Sequence, residues 1–170
     1  MLKRFYPTEY VESVYTIDYN NLKKLGITGL IFDLDNTLAP FDIDHPTEEI
    51  KNFIKTRMEE GFKICLVSNN KGKRVEIFNE GLKLPFVSKA GKPKKNGILN
   101  GMSQLNLTSK EVVMIGDQMF TDVWVGNRLD MHTILVKPIC ERDEFTVKLK
   151  RGTEKIVFKQ YLKYIEKQRN

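Results

Sequence analysis

Leu30-Ile31-Phe32-Asp33-Leu34-Asp35-Asn36-Thr37-Leu38 decides how the rest of the chain is read. It starts as a continuous apolar run, the pattern of a strand covered on both faces in a parallel sheet. It then presents two carboxylates one residue apart, a hydroxyl and a turn. Acids at the exit of a buried strand do not serve stability. Two carboxylates about 4 Å apart repel by roughly 4 kcal/mol at an effective dielectric near 20. A hard cation such as Mg²⁺, which takes oxygen ligands, is suited to offset that repulsion.

Upstream, residues 1–26 are mixed and aromatic, with Phe5, Tyr6, Tyr10, Tyr15 and Tyr19. They predict a short irregular arm packed over the outside of the domain. A helical turn at 21–25 then closes at Gly26. The first strand runs over 27–34. Downstream, Pro46, Thr47, Glu48 and Glu49 form a helix start, with acids in the first turn. Ile50, Phe53, Ile54 and Met58 give its apolar stripe, and Gly61 ends it. A second strand at 62–67 leads into Ser68-Asn69-Asn70. A helix over 72–80, with Val75, Ile77 and Phe78, and a short strand at 84–87 follow. A basic loop around Gly91-Lys92-Pro93 enters a helix with Ile98, Leu99, Met102 and Leu105 on one face. A strand at 111–115 ends in Gly116-Asp117, a helix covers 122–129, and a strand covers 133–136. Residues 137–151 are charged and poorly periodic, and 153–168 form a last helix.

Strands alternating with helices predict an α/β fold: a three-layer, Rossmann-like parallel sheet with right-handed crossovers and helices on both faces. At 170 residues the chain fits one domain, 1–170, able to bury roughly 70% of its unfolded surface. Ligands of such folds bind at the carboxyl ends of the strands. Asp33/Asp35, Ser68/Asn69 and Asp117/Asp122 all fall there, and Lys92 arrives on a loop.

That pocket has a chemistry. Asp33 can attack phosphorus as a covalent nucleophile. Asp35 can protonate the leaving oxygen and later deprotonate water. Asp33, Asp35 and Asp117 are the candidate metal ligands, for Mg²⁺. Ser68, Asn69 and Lys92 can hold the remaining phosphate oxygens. Thr37 can fix the turn after the acids, and Asp122 can orient Lys92 or a metal water from behind.

The same residues resemble a known family. Asp33-Leu34-Asp35-Asn36-Thr37 is similar to the DxDxT signature of the haloacid dehalogenase (HAD) superfamily. Ser68, Lys92 and Gly116-Asp117-x4-Asp122 resemble its later motifs, in order. Phe5-x-Pro7-x-x-Tyr10-Val11-x-Ser13 and Leu22-x-x-Leu25-Gly26-Ile27 resemble the YqeG-type subgroup of class IIIA. Members of that subgroup are similar to mitochondrial phosphatidylglycerophosphate phosphatases. The resemblance implies an HAD-like fold, a Mg²⁺-dependent phosphomonoesterase, and a phospholipid substrate. HAD enzymes for small molecules usually carry a large inserted cap. Only about thirty residues separate Thr37 from Ser68 and about two dozen separate Ser68 from Lys92, which leaves no room for a cap domain. An open site suits a bulky substrate. Alternative substrates are a phosphoprotein or a nucleic-acid end, nucleic acid being disfavoured. A receiver-like phosphoacceptor without turnover is disfavoured by Asp35.

Composition narrows partners and compartment. The chain is 41% hydrophobic and 29% charged, ordinary for a soluble protein. No apolar run approaches the ~20 residues of a membrane span. The basic N-terminus lacks the apolar stretch of a secretory signal. Cys65 and Cys140 lack metal or disulfide spacing, Cys65 reads as core, and a reducing cytoplasm fits both. The net charge is +6, and residues 137–170 carry ten Lys/Arg against five Asp/Glu. An acidic partner or surface is implied. Lys155, Lys159, Lys163 and Lys167 form one stripe of the last helix, with Phe158, Tyr161, Leu162 and Ile165 opposite. The stripe is either a solvated face or a surface docked peripherally on anionic membrane, where each basic residue contributes about 1 kcal/mol.

Overall fold

Six strands form one sheet in the order β1-β6-β5-β2-β3-β4, and every pairing is parallel. They are β1 (Glu9–Val11), β2 (Gly29–Phe32), β3 (Lys63–Val67), β4 (Phe86–Val87), β5 (Val112–Gly116) and β6 (His132–Val136). The computed structural model describes residues 2–140 and 145–169. Among the described residues six α-helices accompany the sheet: α1 (Tyr19–Lys24), α2 (Glu48–Glu59), α3 (Gly72–Glu80), α4 (Asn96–Leu105), α5 (Trp124–Asn127) and α6 (Phe145–Arg169).

The strand period of two divides β2 between two cores. Leu30 and Phe32 pack with Leu22 of α1, Ile50 and Ile54 of α2, and Val75 and Phe78 of α3. Ile31 packs on the other face with Cys65, Met114, Ile98 and Met102 of α4, and Val125 of α5. Val157 and Tyr161 of α6 join Leu135, Met119 and Phe5 in a third cluster. The result is a three-layer, Rossmann-like α/β fold. All four residues of β2 are buried, and each large apolar side chain contributes about 1.5–3 kcal/mol. That packing anchors the strand end from which Asp33 emerges.

Helix boundaries follow their chemistry. Asp18 caps α1 by accepting from Asn21 N, and Thr47 caps α2 by accepting from Ile50 N. Gly61 follows α2 at φ +94°, where a side chain would be strained.

Three details depart from the sequence reading, while the absence of a cap agrees with it. The arm supplies a sixth strand: β1 pairs with β6 at the sheet edge, and His132 Nε2 lies 2.7 Å from Glu9 Oε1. Three residues are too few for a period-2 signal. Met58 of α2 and Leu99 of α4 are exposed rather than packed, because each falls at the margin of its helix's apolar stripe. The last helix starts at Phe145, eight residues before the apolar periodicity becomes regular. Between Thr37 and Ser68 the described elements are a loop, α2 and β3. Between Ser68 and Lys92 they are α3 and β4. No cap is inserted at either place.

Candidate active site

Asp33 leaves β2 with its backbone N–H donating to Ile115 O of β5 at 2.9 Å. The sheet ladder therefore sets this acid beside Gly116 and Asp117 at the end of β5. Ser68 leaves β3 with its N–H on Val87 O. Its buried hydroxyl accepts from Asn70 N at 3.0 Å. Lys92 comes from the loop between β4 and α4. Its backbone is clamped by Asn69, whose Oδ1 accepts from Lys92 N at 2.7 Å and whose Nδ2 donates to Lys92 O at 3.0 Å.

The Lys92 ammonium lies between two carboxylates, 2.6 Å from Asp33 Oδ1 and 2.7 Å from Asp122 Oδ1. All three side chains are at most 8% exposed. Asp122 is returned to the site by a π-helical turn over Met119–Val123, a wide-turn device frequent at functional sites. Gln118 N donates to its Oδ2 at 3.1 Å. Gly116 makes the approach possible, because a Cβ there would overlap the Asp122 carboxylate.

One oxygen from each of Asp33, Asp117 and Asp122 lies within 4.8 Å of the others. Three buried acids are gathered beside the Lys92 ammonium. Burial, with Asp122 and Asp35 adding repulsion against the opposing Lys92, pushes Asp33 above the usual carboxylate range. Burial alone would lower Lys92, but Asp122 and Asp33 outweigh it and hold the ammonium firmly protonated. An all-oxygen set of buried carboxylates fits a hard divalent cation. The trio could hold a metal ion.

The second acid of the opening motif faces elsewhere. Asp35 Oδ2 accepts from Asn70 Nδ2 at 3.0 Å, and its Oδ1 lies 3.3 Å from Arg74 Nη2. The same Nη2 donates to Pro40 O at 3.2 Å. The sequence reading put Asp35 with Asp33 and Asp117 on the metal and left Asp122 behind. In the structure the clustered carboxylates are Asp33, Asp117 and Asp122, and Asp35 turns toward α3. The left-handed Asn36, at φ 60°, redirects the chain between Asp35 and Thr37. The turn is closed by Leu38 N and Ala39 N on Leu34 O. The Thr37 hydroxyl is buried with no hydrogen-bond partner among the described residues. Asn69, assigned to phosphate from the sequence, spends both ends of its amide on Lys92. Asn70 and Arg74 were missed. Their signal was position, within two turns of a strand end that carries the site.

A parallel open sheet with buried acids at the ends of its central strands, and no inserted cap, has the architecture of an HAD-like hydrolase. An HAD-hydrolase-like family model matches residues 89–144. "Probable phosphatase YqeG" of Bacillus subtilis is 38% identical over 156 residues, which are 91% of this chain and 91% of that one. The chain belongs to the YqeG family of the HAD superfamily. More distant relatives are the phosphatidylglycerophosphate phosphatases 1 of Arabidopsis thaliana, 26% identical over 92% of this chain, and Chlamydomonas reinhardtii, 28% identical over 81%. The chain spans 48% and 55% of their respective lengths. Among solved structures, an uncharacterised protein from Listeria monocytogenes aligns with TM-score 0.54 at 17% identity, covering 70% of this chain and 84% of that one. The cobalt-bound deoxy-D-mannose-octulosonate 8-phosphate phosphatase of Haemophilus influenzae aligns with TM-score 0.50 at 18% identity, covering 68% and 81%. These two share the fold.

Proposed function

We propose that the chain is a phosphomonoester hydrolase working through an aspartyl-phosphate on Asp33, with Mg²⁺, on phosphatidylglycerophosphate at an anionic membrane surface. The observation that carries the reaction is the buried Asp33–Lys92–Asp122 bridge with Asp117 beside it, at the carboxyl ends of β2 and β5. Asp33, Asp117 and Asp122 would hold the metal. When bound, it supplies positive charge to the acids and to the phosphate oxygens.

The remaining steps belong to the side chains. An Asp33 oxygen attacks phosphorus, the bond to the leaving oxygen breaks, and Asp35 gives that oxygen its proton. Asn70 and Arg74 keep Asp35 oriented for the transfer. Lys92 and the Ser68 hydroxyl offset charge developing on the equatorial oxygens. Asp35, now a carboxylate, takes a proton from water. The water oxygen attacks phosphorus, and the bond to Asp33 breaks, releasing inorganic phosphate.

The substrate rests on the two plant-type relatives, the absence of an inserted cap over the site, and the four exposed lysines of α6. No helix of the described residues is long and apolar enough to cross a membrane, so membrane contact would be peripheral. The test is phosphate release from phosphatidylglycerophosphate in phosphatidylglycerol vesicles with Mg²⁺. Asp33→Asn is expected to lose activity a thousandfold or more. An Asp33→Asn enzyme at wild-type rate would overturn the mechanism. Inert vesicles beside rapid turnover of a soluble sugar phosphate would overturn the lipid assignment.

A further inference from the structure

The two loops that carry Ser68 and Lys92 to the site are both basic. Residues 68–74, from the end of β3 into the first turn of α3, hold Lys71, Lys73 and Arg74. Residues 88–95, between β4 and α4, hold Lys89, Lys92, Lys94 and Lys95, and neither stretch contains an acid. Lys92 and Arg74 are committed to Asp33, Asp122 and Asp35. Lys71, Lys73, Lys89 and Lys94 are exposed. Among the described residues none of these four forms a salt bridge. The backbone ties the loops together: Lys89 N donates to Asn70 O and Ala90 N to Ser68 O, both at 3.0 Å. Lys71 and Lys89 therefore emerge side by side, at the carboxyl ends of β3 and β4 where the site opens. The exposed acids Asp42 and Asp44 follow β2 on the α2 side.

We infer that Lys71, Lys73, Lys89 and Lys94 form the surface that docks the enzyme on an anionic bilayer, with the β3–β4 side of the mouth turned to the lipid and the Asp42–Asp44 loop turned away. The inference rests on reading the Asp33 site as a phosphatase for a membrane-borne phosphate. A headgroup phosphate stays in the interfacial layer, so a site at the end of the sheet reaches it only when that end meets the bilayer. The potential of an anionic surface fades within a Debye length, about 8–10 Å, so lysines at the mouth feel it in the docked state. Neither loop exposes a large apolar side chain, the kind of anchor that carries a protein–protein contact. Neither offers an aromatic ring on which a nucleic-acid end could stack. Charge alone suffices at a lipid surface.

The experiment compares the wild-type chain with a variant carrying Lys71→Gln, Lys73→Gln, Lys89→Asn and Lys94→Gln, the α6 lysines being left in place. Asn suits position 89 because Lys89 is left-handed, at φ 48°. Circular dichroism checks the fold. At about fivefold per lysine, sedimentation should show binding to phosphatidylglycerol vesicles weakened by several hundredfold. Hydrolysis of phosphatidylglycerophosphate in those vesicles should fall with it at low lipid. Hydrolysis of the short-chain dibutanoyl analogue, dissolved as a monomer, should stay within about threefold, because exposed charges are screened in solution. Arg at all four positions keeps the charge and should keep vesicle binding. Unchanged vesicle binding in the neutral variant, lost binding in the Arg variant, or an equal fall on monomeric and vesicle substrate overturns the docking surface. If the neutral variant loses only hydrolysis of a phosphorylated protein or a 5′-phosphorylated oligonucleotide, the surface serves that partner and the inference fails. A wild-type chain that binds vesicles through these lysines but hydrolyses neither lipid overturns the phosphatidylglycerophosphate reading and leaves the docking surface standing.

Discussion

Asp33 and Asp35 are one residue apart, yet their surroundings differ in kind. Asp33 is sealed among Lys92, Asp117 and Asp122. Asp35 is 21% exposed and held by Asn70 and Arg74. A nucleophile must be fixed and shielded, whereas a proton donor must reach solvent after each turnover, so this division suits the proposed roles. A leaving group that is stable as an anion does not need the donated proton. Asp35→Asn should therefore lose about 10²–10⁴-fold on an alkyl phosphate and much less on p-nitrophenyl phosphate. Arg74→Ala should follow the same pattern at about a tenth of the size, since it only orients Asp35. The ratio of the two substrates checks both, and equal losses on both would remove Asp35 from proton transfer. The DxDxT acids were legible in the sequence because the signal is local: an apolar strand followed at once by carboxylates. Which amide serves which acid was not. Asn69 and Asn70 are neighbours of one type, and only the turn after β3 points one at Lys92 and the other at Asp35. Asp122 joined the trio through a π-helical turn that no periodicity announces.

At the scale of elements, the strands of the core were readable because apolar runs buried on both faces leave little ambiguity. β1 was not, because its three residues take strand form from the edge of β6 and not from their own pattern. α6 combines two legible features whose meaning depends on context. Val157 and Tyr161 are buried against the fold, while Lys155, Lys159, Lys163 and Lys167 are exposed. Like charges four apart cost a few tenths of a kcal/mol per pair, so the stripe does not stabilise the helix. Replacing Lys159, Lys163 and Lys167 with Gln removes three of the four exposed charges and leaves Val157 and Tyr161 in place. At about 1 kcal/mol per residue, the triple variant should bind phosphatidylglycerol vesicles about a hundredfold more weakly in a sedimentation assay. Its melting temperature should hold or rise, and its turnover of p-nitrophenyl phosphate in solution should persist. Unchanged vesicle binding would make the stripe a solvated face.

For the whole molecule, the acid trio couples folding to pH and to metal. Burial holds Asp33 above its unfolded value near 4, so without metal the folded state binds a proton that the unfolded chain releases. Stability then falls as pH rises from about 4 through the raised range of Asp33. A divalent cation replaces that proton and removes the penalty, and its own affinity grows as the competing proton is lost. Adding Mg²⁺ should therefore raise the melting temperature little near pH 5 and most above pH 7. At a hundred times the dissociation constant, binding contributes about 2.7 kcal/mol, or about 5–10 °C for a chain of this size. Chelation should reverse the shift, and Asp117→Asn should abolish most of it. A Mg²⁺ increment that is the same at pH 5 and pH 8 would mean that the cation binds away from Asp33. The trio would then be a structural ion cluster gathered around Lys92.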